Sequence, residues 1–466
     1  MRQKIFFFVF FALLNVGLKS PYLGETSFNY DEIISVKNTL LDFGHIKHEA
    51  EWDNNPPFFY YCFWVWHRFL PVSEFNSRLL SVIFVSLGIG FTFLFSAQYF
   101  GKRVAIWSCI LLSLSNFLTY HAQECRAYSL VFLLSVLSSI IFFKFYYKPG
   151  WIQLFLLSFL NFLILYTHYI AVLVIVVQYF FIIFSKIHQK RNFLIVQSLL
   201  IVILVFVRFT PKQFYHIFHF NSEGDFWLKT TSLGGLWSGL QDMFGAPLQI
   251  AMLLLVLIYG VFELFTRDSD VRPLNLYLLG VGAGSIVVLF VIGLFKSVFL
   301  PRYLIFCLPF VLIFFSFYLV NIKFGNIILA IYVVIAVFIV EIAKPEISNY
   351  RDLAQVIRQN KRIRDYVIIN TRDNLPLFMY YFDKNTFFRY KNLDSVARSR
   401  NIYSINQQSE LNLISFSNSD NVFLIQSFHK IHGQQNLIRE FLNKRMPTIF
   451  QTHYYSGIEF SLYSNR

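Results

Sequence analysis

Long apolar runs without charge near their centres divide this sequence, and that pattern leaves a chain few ways to fold. A helix needs about 20 mostly apolar residues to cross a bilayer. Such runs fall at 4–20, 78–99, 103–120, 127–146, 151–168, 169–186, 192–209, 247–266, 273–295, 302–321 and 324–343. In lipid every backbone N–H and C=O must be bonded within the protein, so the runs predict helices. The expected fold class is therefore a polytopic α-helical membrane protein with about 11 transmembrane helices. Composition agrees: 56% of the residues are hydrophobic, 14% are charged and Phe alone occurs 58 times, a balance suited to lipid as the main solvent. The first run follows Arg2 and Lys4 but precedes no small-residue cleavage site, so it reads as an anchor.

Loop charge sets the expected direction. Lys102-Arg103, Lys144 with Lys148, Lys186 with Lys190-Arg191, Arg267 with Arg272, and Lys323 all fall on one face. The positive-inside rule makes that face cytoplasmic. The N-terminus is then inside the cytoplasmic (inner) membrane, and residues 20–77, 121–126, 210–246, 296–301 and everything after about 344 lie outside. The segment Phe58–Phe69 (FFYYCFWVWHRF) is apolar but too short to span, and its Trp and Tyr suit a helix in the outer interface. The formal charge of +14 lies between spans and over the C-terminal residues, without a basic-aromatic motif. Membrane topology and anionic lipid account for it, and no nucleic-acid partner is expected. Cys62, Cys109, Cys125 and Cys307 have neither disulfide-framework nor zinc spacing.

Character changes at Lys344-Pro345, dividing a membrane module, 1–344, from a soluble extracytoplasmic domain, 345–466. In the latter, helices at 349–362 and 434–445 alternate with strands at 365–370, 421–426, 448–454 and 458–463, predicting a small C-terminal α/β domain. It has no glycine-rich phosphate loop and no nucleophile elbow, so no nucleotide cofactor is expected.

Candidate chemistry gathers at the outer face. Seven of the sixteen acidic residues before Lys344 lie between Glu25 and Asp53. Tyr30-Asp31-Glu32 opens a segment in which Ile33, Val36, Leu40 and Leu41 recur at helical spacing, as for a helix resting on lipid. Asp31 and Glu32 equally suit helix capping. The turn Asp53-Asn54-Asn55-Pro56-Pro57 leads into the interfacial segment and also fits plain structural punctuation. Glu124 and Arg126 share a short outer turn with His121 and Tyr128, where a surface ion pair is the simpler reading. Arg302-Tyr303 sits at the outer end of a span, where an arginine snorkels by default.

Taken together, Tyr30-Asp31-Glu32, Asp53…Pro56-Pro57, Arg78-Leu79-Leu80-Ser81, Gln123-Glu124-x-Arg126-x-Tyr128, Thr167-His168-Tyr169 and Arg302-Tyr303 resemble glycosyltransferase family 39. That family belongs to the GT-C superfamily, with the protein O-mannosyltransferases and the lipid A aminoarabinose transferase. The resemblance covers about residues 1–345 and is strongest through 170. In one departure, many relatives carry histidine directly before the Pro-Pro pair, where this chain has Asn55.

The resemblance implies transfer of a sugar from a polyprenyl-phosphate donor to an acceptor hydroxyl at the outer membrane face. A carboxylate must take the hydroxyl proton; Asp31 matches the family's catalytic aspartate, with Glu32 as helper. The departing lipid phosphate gains negative charge, and the forked guanidiniums of Arg126 and Arg302 suit it. Tyr303 and His168 join them as donor phosphate-binding residues, with His168 able to donate to the phosphate or to ligate a metal. Glu124, Asp53, Asn55 and Tyr128 are candidates for an acceptor or divalent-cation site, although oxygen ligands this scattered specify no metal. Membrane lipid surrounds the chain, and the acceptor class stays open among protein, glycolipid and wall polymer. A glycan polymerase or ligase would use the same donors. A lipid or solute transporter, or a scaffold, would leave the outer-face motifs idle.

Overall fold

The structure, a computed structural model, describes residues 2–39, 42–49, 55–184, 190–208, 230–266, 270–340, 349–370, 374–389, 392–406, 408–414, 421–427, 434–446, 449–455 and 458–464. In chain order the principal helices begin with α1 (Arg2–Lys19), α2 (Tyr30–Asn38), α3 (Phe58–Phe69), α4 (Glu74–Tyr99), α5 (Lys102–Ser113) and α6 (Asn116–Ala122). There follow α7 (Tyr128–Tyr147), α8 (Trp151–Leu165), α9 (Val172–Phe184), α10 (Lys190–Arg208), α11 (Leu233–Phe244) and α12 (Pro247–Thr266). Next come α13 (Arg272–Phe295, with a π-helical turn at Gly280–Gly284), α14 (Leu308–Val320) and α15 (Gly325–Ile339). The chain continues with α16 (Tyr350–Asn360), α17 (Leu375–Phe382), α18 (Lys384–Arg389), α19 (Leu393–Arg398) and α20 (Gln434–Arg445).

Two compact units result: Met1–Leu23 with Leu41–Lys344, and Gly24–Leu40 with Pro345–Arg466. The expected partition at Lys344 differs in one respect, since residues 24–40 fold with the C-terminal residues.

In the first unit, five helices are long and apolar enough to cross a membrane: α4, α7, α12, α13, and Pro301–Val320, which joins a 3₁₀ turn to α14. The bent pair α5–α6 makes a sixth. Apolar helices at Trp151–Leu165, Tyr169–Phe184 and Gly325–Ile339 are shorter. This count, among the described residues, stands beside an expectation of about 11, and two causes are visible. The expected span 103–120 bends by 62°, and the expected span 151–168 stops as a helix at Leu165, leaving Tyr166–His168 as a turn outside it. The expected span 324–343 runs past the described residues.

The bend has a local chemistry. Ser113 Oγ donates back to the Cys109 carbonyl at 2.7 Å, and Ser115 restarts the helix as an N-cap that accepts from Leu118 N. The Ser113 carbonyl freed at the break accepts from Lys19 Nζ at 3.0 Å, and the same ammonium reaches Thr119 Oγ1 at 2.7 Å. Lys19 is completely buried, so α1 ends by capping the C-terminus of α5, where a cation is favoured. Deeper in the unit, uncharged polar groups join α7 to its neighbours. Asn161 Nδ2 donates to Gln178 Oε1 and Gln197 Oε1, Ser138 Oγ donates to Asn161 Oδ1, and Ser139 Oγ meets Tyr277 OH. Such bonds fix helix register where no hydrophobic force acts between helices. Close packing adds to them: a Cβ on Gly88 would lie 2.5 Å from the Phe132 ring.

The second unit is built on a five-stranded sheet in the order β2-β1-β3-β5-β4, with β1 Tyr366–Asn370, β2 Ile402–Ile405, β3 Val422–Ser427, β4 Ile449–Tyr455 and β5 Ile458–Tyr463. β1 pairs parallel with β2 and β3, while β5 pairs antiparallel with β3 and β4. Ile368 and Leu424 pack with Ile438 and Leu442 of α20. The segment 24–40 is fastened within this unit by Arg351, whose guanidinium donates to the carbonyls of Gly24 and Glu25, and by Tyr381 OH, which accepts from Phe28 N at 2.7 Å. Ile33 and Val36 are therefore buried in protein, which corrects the expectation that they rest on lipid. Leu40 and Leu41 lie outside the described residues.

Candidate active site

Four stretches distant in sequence meet in the first unit: the start of α3, the turn from α6 to α7, the turn after α8, and the 3₁₀ turn Pro301–Cys307. The Pro56-Pro57 turn ends where Phe58 N donates to the Tyr166 carbonyl at 3.0 Å, so α3 begins against the end of α8. That anchor brings Tyr60 OH to accept from Arg126 Nη1 at 3.0 Å. The α6–α7 turn is tight because Arg126 N bonds the Glu124 carbonyl, and His121 Nδ1 lies 3.0 Å from Glu124 Oε2. Ser129 Oγ holds the His121 carbonyl from the next helix, and Gln123 Nε2 donates to the Lys19 carbonyl.

Aromatic rings close the cluster. Tyr128 lies 5.8 Å from His168 and 6.4 Å from Tyr303, and His168 lies 5.0 Å from Tyr303. The Arg302 guanidinium stands 5.7 Å over the Tyr128 ring, a cation–π distance. Glu124, Arg126, Tyr128 and His168 are buried, while Arg302 and Tyr303 are half-buried. Guanidiniums drawn this far from water favour an anion in place of lost hydration.

His168, in the turn between α8 and the next apolar helix, responds to them. Burial first, then the charges of Arg302 and Arg126, lower its pKa to about 3. The ring is therefore neutral at physiological pH, and its Nδ1 has no hydrogen-bond partner among the described residues. A neutral imidazole with a spare ring nitrogen beside two fixed cations can donate one hydrogen bond to an anion without adding charge.

Asp31 and Glu32 belong to the second unit and open α2. The helix is capped by Asn29, whose Oδ1 accepts from Glu32 N at 2.8 Å while Glu32 Oε2 accepts from Asn29 N at 3.0 Å. This capping box assigns the structural role to Asn29 and the buried Glu32 and leaves Asp31, half-buried in the first turn, outside it. Of the other expected site residues, Asn55 is largely buried at the start of the Pro-Pro turn, and Asp53 lies outside the described residues. Arg78 is fully buried and donates to the Leu23 carbonyl at 2.7 Å.

Sequence reasoning missed Tyr60 and Lys19 as partners of the cluster. Tyr60 was submerged in a run of aromatics. Lys19 carried a signal: a lysine ending an apolar helix on the face expected to be outside, where positive charge is not the rule. As for a metal, no group of three or more His, Cys, Asp or Glu side chains able to hold an ion occurs among the described residues, and Glu124 is already engaged by His121. The described residues do not make a metal site, and the chemistry below rests on side chains alone.

Solved structures share this fold. ArnT from Cupriavidus metallidurans in the apo state matches at a TM-score of 0.62 and 12% identity, covering 99% of this chain and 98% of that one. ArnT bound to undecaprenyl phosphate matches at 0.59 and 12% identity, covering 98% and 97%. The Archaeoglobus fulgidus oligosaccharyltransferase in complex with Zn and sulfate matches at 0.55 and 14% identity, covering 90% and 68%. The fold is GT-C. No family model matches the sequence, and no curated protein is similar to it in sequence. The likeness to ArnT extends through both units, beyond the residue-345 limit of the motif resemblance.

Proposed function

We propose that the chain is a membrane glycosyltransferase that moves a sugar from a polyprenyl-phosphate donor to an acceptor hydroxyl on the outer face of the cytoplasmic membrane. The observation that carries this reading is the cluster of buried Arg126, half-buried Arg302 and neutral, buried His168. It has the charge and donors that a departing phosphate requires; among solved structures sharing the fold, one of ArnT holds undecaprenyl phosphate and one of the Archaeoglobus fulgidus oligosaccharyltransferase AglB holds a dolichol-phosphate. An apolar cavity of about 200 Å³ in the first unit supports it. Leu240 of α11 lines the cavity together with Leu253, Phe290 and Phe314. On the same α11, a Cβ on Gly239 would stand 3.2 Å from Pro301, so the cavity wall runs to the turn bearing Arg302. The apolar lining suits the phosphate-proximal part of a lipid tail, and the two arginines suit its phosphate.

Asp31 is the proposed base, on the Tyr30-Asp31-Glu32 motif. The acceptor oxygen attacks the anomeric carbon, its proton passes to the Asp31 carboxylate, and the bond to the phosphate oxygen breaks with the electron pair leaving on phosphate. Arg126 and Arg302 neutralise that charge, and His168 donates to a phosphate oxygen. The reading also keeps both ends of the expected topology, N-terminus inside and C-terminal residues outside.

The test is release and transfer of labelled sugar from a purified polyprenyl-phosphate sugar by the detergent-solubilised chain. Turnover that vanishes in Arg302→Ala with folding intact supports the reading. A chain that binds the donor yet never releases sugar is a carrier or transporter, and that result would overturn it. A reporter fused after Arg466 that fluoresces only in the cytoplasm should stay dark.

A further inference from the structure

We infer that Lys19 is a positioning residue for the phosphate grip: the end of α1 sets the bend between α5 and α6 and thereby places Arg126. The inference rests on the transfer reading, because it concerns the same arginine. Both ends of α6 are tied to the last residue of α1. At the start, the Lys19 ammonium bridges the break, donating to the Ser113 carbonyl of α5 at 3.0 Å and to Thr119 Oγ1 of α6 at 2.7 Å. At the far end, the Lys19 carbonyl accepts from Gln123 Nε2 at 3.1 Å, while Gln123 closes α6 by donating its own N–H to the Thr119 and Tyr120 carbonyls. One turn earlier on α1, Asn15 Nδ2 donates to Ser113 Oγ at 2.8 Å.

This arrangement is costly. Asn15, Lys19, Ser113, Thr119 and Gln123 are all buried, so bulk water does not replace a lost partner. Both oxygens that the ammonium reaches are neutral, and a buried charge held by neutral groups is expensive. Asn15 Oδ1 is buried without a hydrogen-bond partner among the described residues, a further cost that calls for a reason. One use of such groups is to select a single geometry among several that would pack.

The geometry selected here is that of the turn bearing Arg126. Gln123 opens the turn, Arg126 N bonds the Glu124 carbonyl within it, and Arg126 Nη1 meets Tyr60 OH at 3.0 Å beyond it. The helix between bend and turn is a short lever. α6 has seven residues, about 10 Å at roughly 1.5 Å per residue, so a tilt of about 10° at the bend moves the turn by about 2 Å. A displacement of that size exceeds the width of the hydrogen-bond window, about 2.7–3.2 Å. Misplacement by about 1 Å from a remote change can already cost about a hundredfold. The Lys19 clamp on both ends of α6 is what resists such a tilt.

The experiment measures affinity for undecaprenyl phosphate in the detergent-solubilised full-length chain, well below the Tm of each variant. Lys19→Met should weaken binding about tenfold, and Gln123→Met, which leaves the ammonium on the α5 carbonyl, at least about threefold. In an Arg126→Ala background both losses should shrink below about twofold, because the group they position is gone, whereas in Arg302→Ala they should persist. General support of the fold would instead weaken binding by the same factor in every background. Unchanged affinity in Gln123→Met, or an equal loss with and without Arg126, overturns the inference and leaves the transfer reading standing. Wild-type affinity in Arg126→Ala alone removes both.

Discussion

Arg126 gives the reading of the first unit its most demanding test. Its side chain is 5% exposed, is steered by Tyr60 OH at 3.0 Å, and acts on His168. If it holds the donor phosphate, Arg126→Ala removes a charge-assisted bond of roughly 1.5–3 kcal/mol. At about 1.4 kcal/mol per decade, donor affinity then falls about ten- to a hundredfold. Arg126→Lys keeps the charge but loses the fork, so it should recover only part of this. Tyr60→Phe removes the group that orients the guanidinium and leaves the charge, so its cost should stay below about tenfold. Affinity for polyprenyl phosphate is measured at two salt concentrations, with Tm as the control for folding. Arg126→Ala and Arg302→Ala combined should lose less than the sum of the single effects if both grip one phosphate. Wild-type affinity in Arg126→Ala would refute the assignment, because no other route from this cluster to phosphate gives Arg126 so little to do.

The remaining expectations are shorter. Asp31→Asn should remove most turnover with donor binding kept, and the Asn29–Glu32 capping box ensures that lost turnover is not lost helix; an active Asp31→Asn moves the base elsewhere. Asn29→Ala should cost about 1 kcal/mol of stability in thermal unfolding. His168 titrates lower in the fold, near 3, than in the unfolded chain, near about 6.5. Its contribution to stability is therefore full above about pH 6.5 and lost as pH falls toward 3; Tm of His168→Gln should drop less than wild type between pH 7 and pH 5. Lys19→Met should destabilise by roughly 1.5–3 kcal/mol, because the Ser113 carbonyl at the α5–α6 bend loses a charged partner. Equal Tm for Lys19→Met and wild type would show that the bend needs no cap.

Much of this architecture is written in local pattern. Residues 247–266 form a helix with the expected bounds because a mostly apolar run starts at Pro247, a residue suited to a helix's first turn. The interfacial segment 58–69 likewise became α3 with both its ends, set by Pro57 before it and Leu70-Pro71 after it. β1 and β3, found within one residue of expectation, are short runs of branched apolar residues that a buried parallel strand demands. β2 was missed because Ile402–Ile405 is only four residues long and half polar, too brief for any period to register. The bend at Leu114 was missed because its causes, Ser113 and Ser115, look like ordinary residues of an apolar helix until Lys19 is seen to cap the break.

What the sequence by itself determined is which segments are helix or strand, and which residues have the chemistry for phosphate and proton. Those follow from the side chain and its near neighbours. Only tertiary structure decided that Tyr60, Arg126, His168 and Arg302 share one cluster, that Asn29 and not Asp31 caps α2, and that residues 24–40 fold with the C-terminal sheet. Each of these depends on contacts between residues tens to hundreds of positions apart or on a choice among several local hydrogen bonds. Packing selects among them by satisfying every buried polar group at once, a condition on the whole fold that no window of sequence contains.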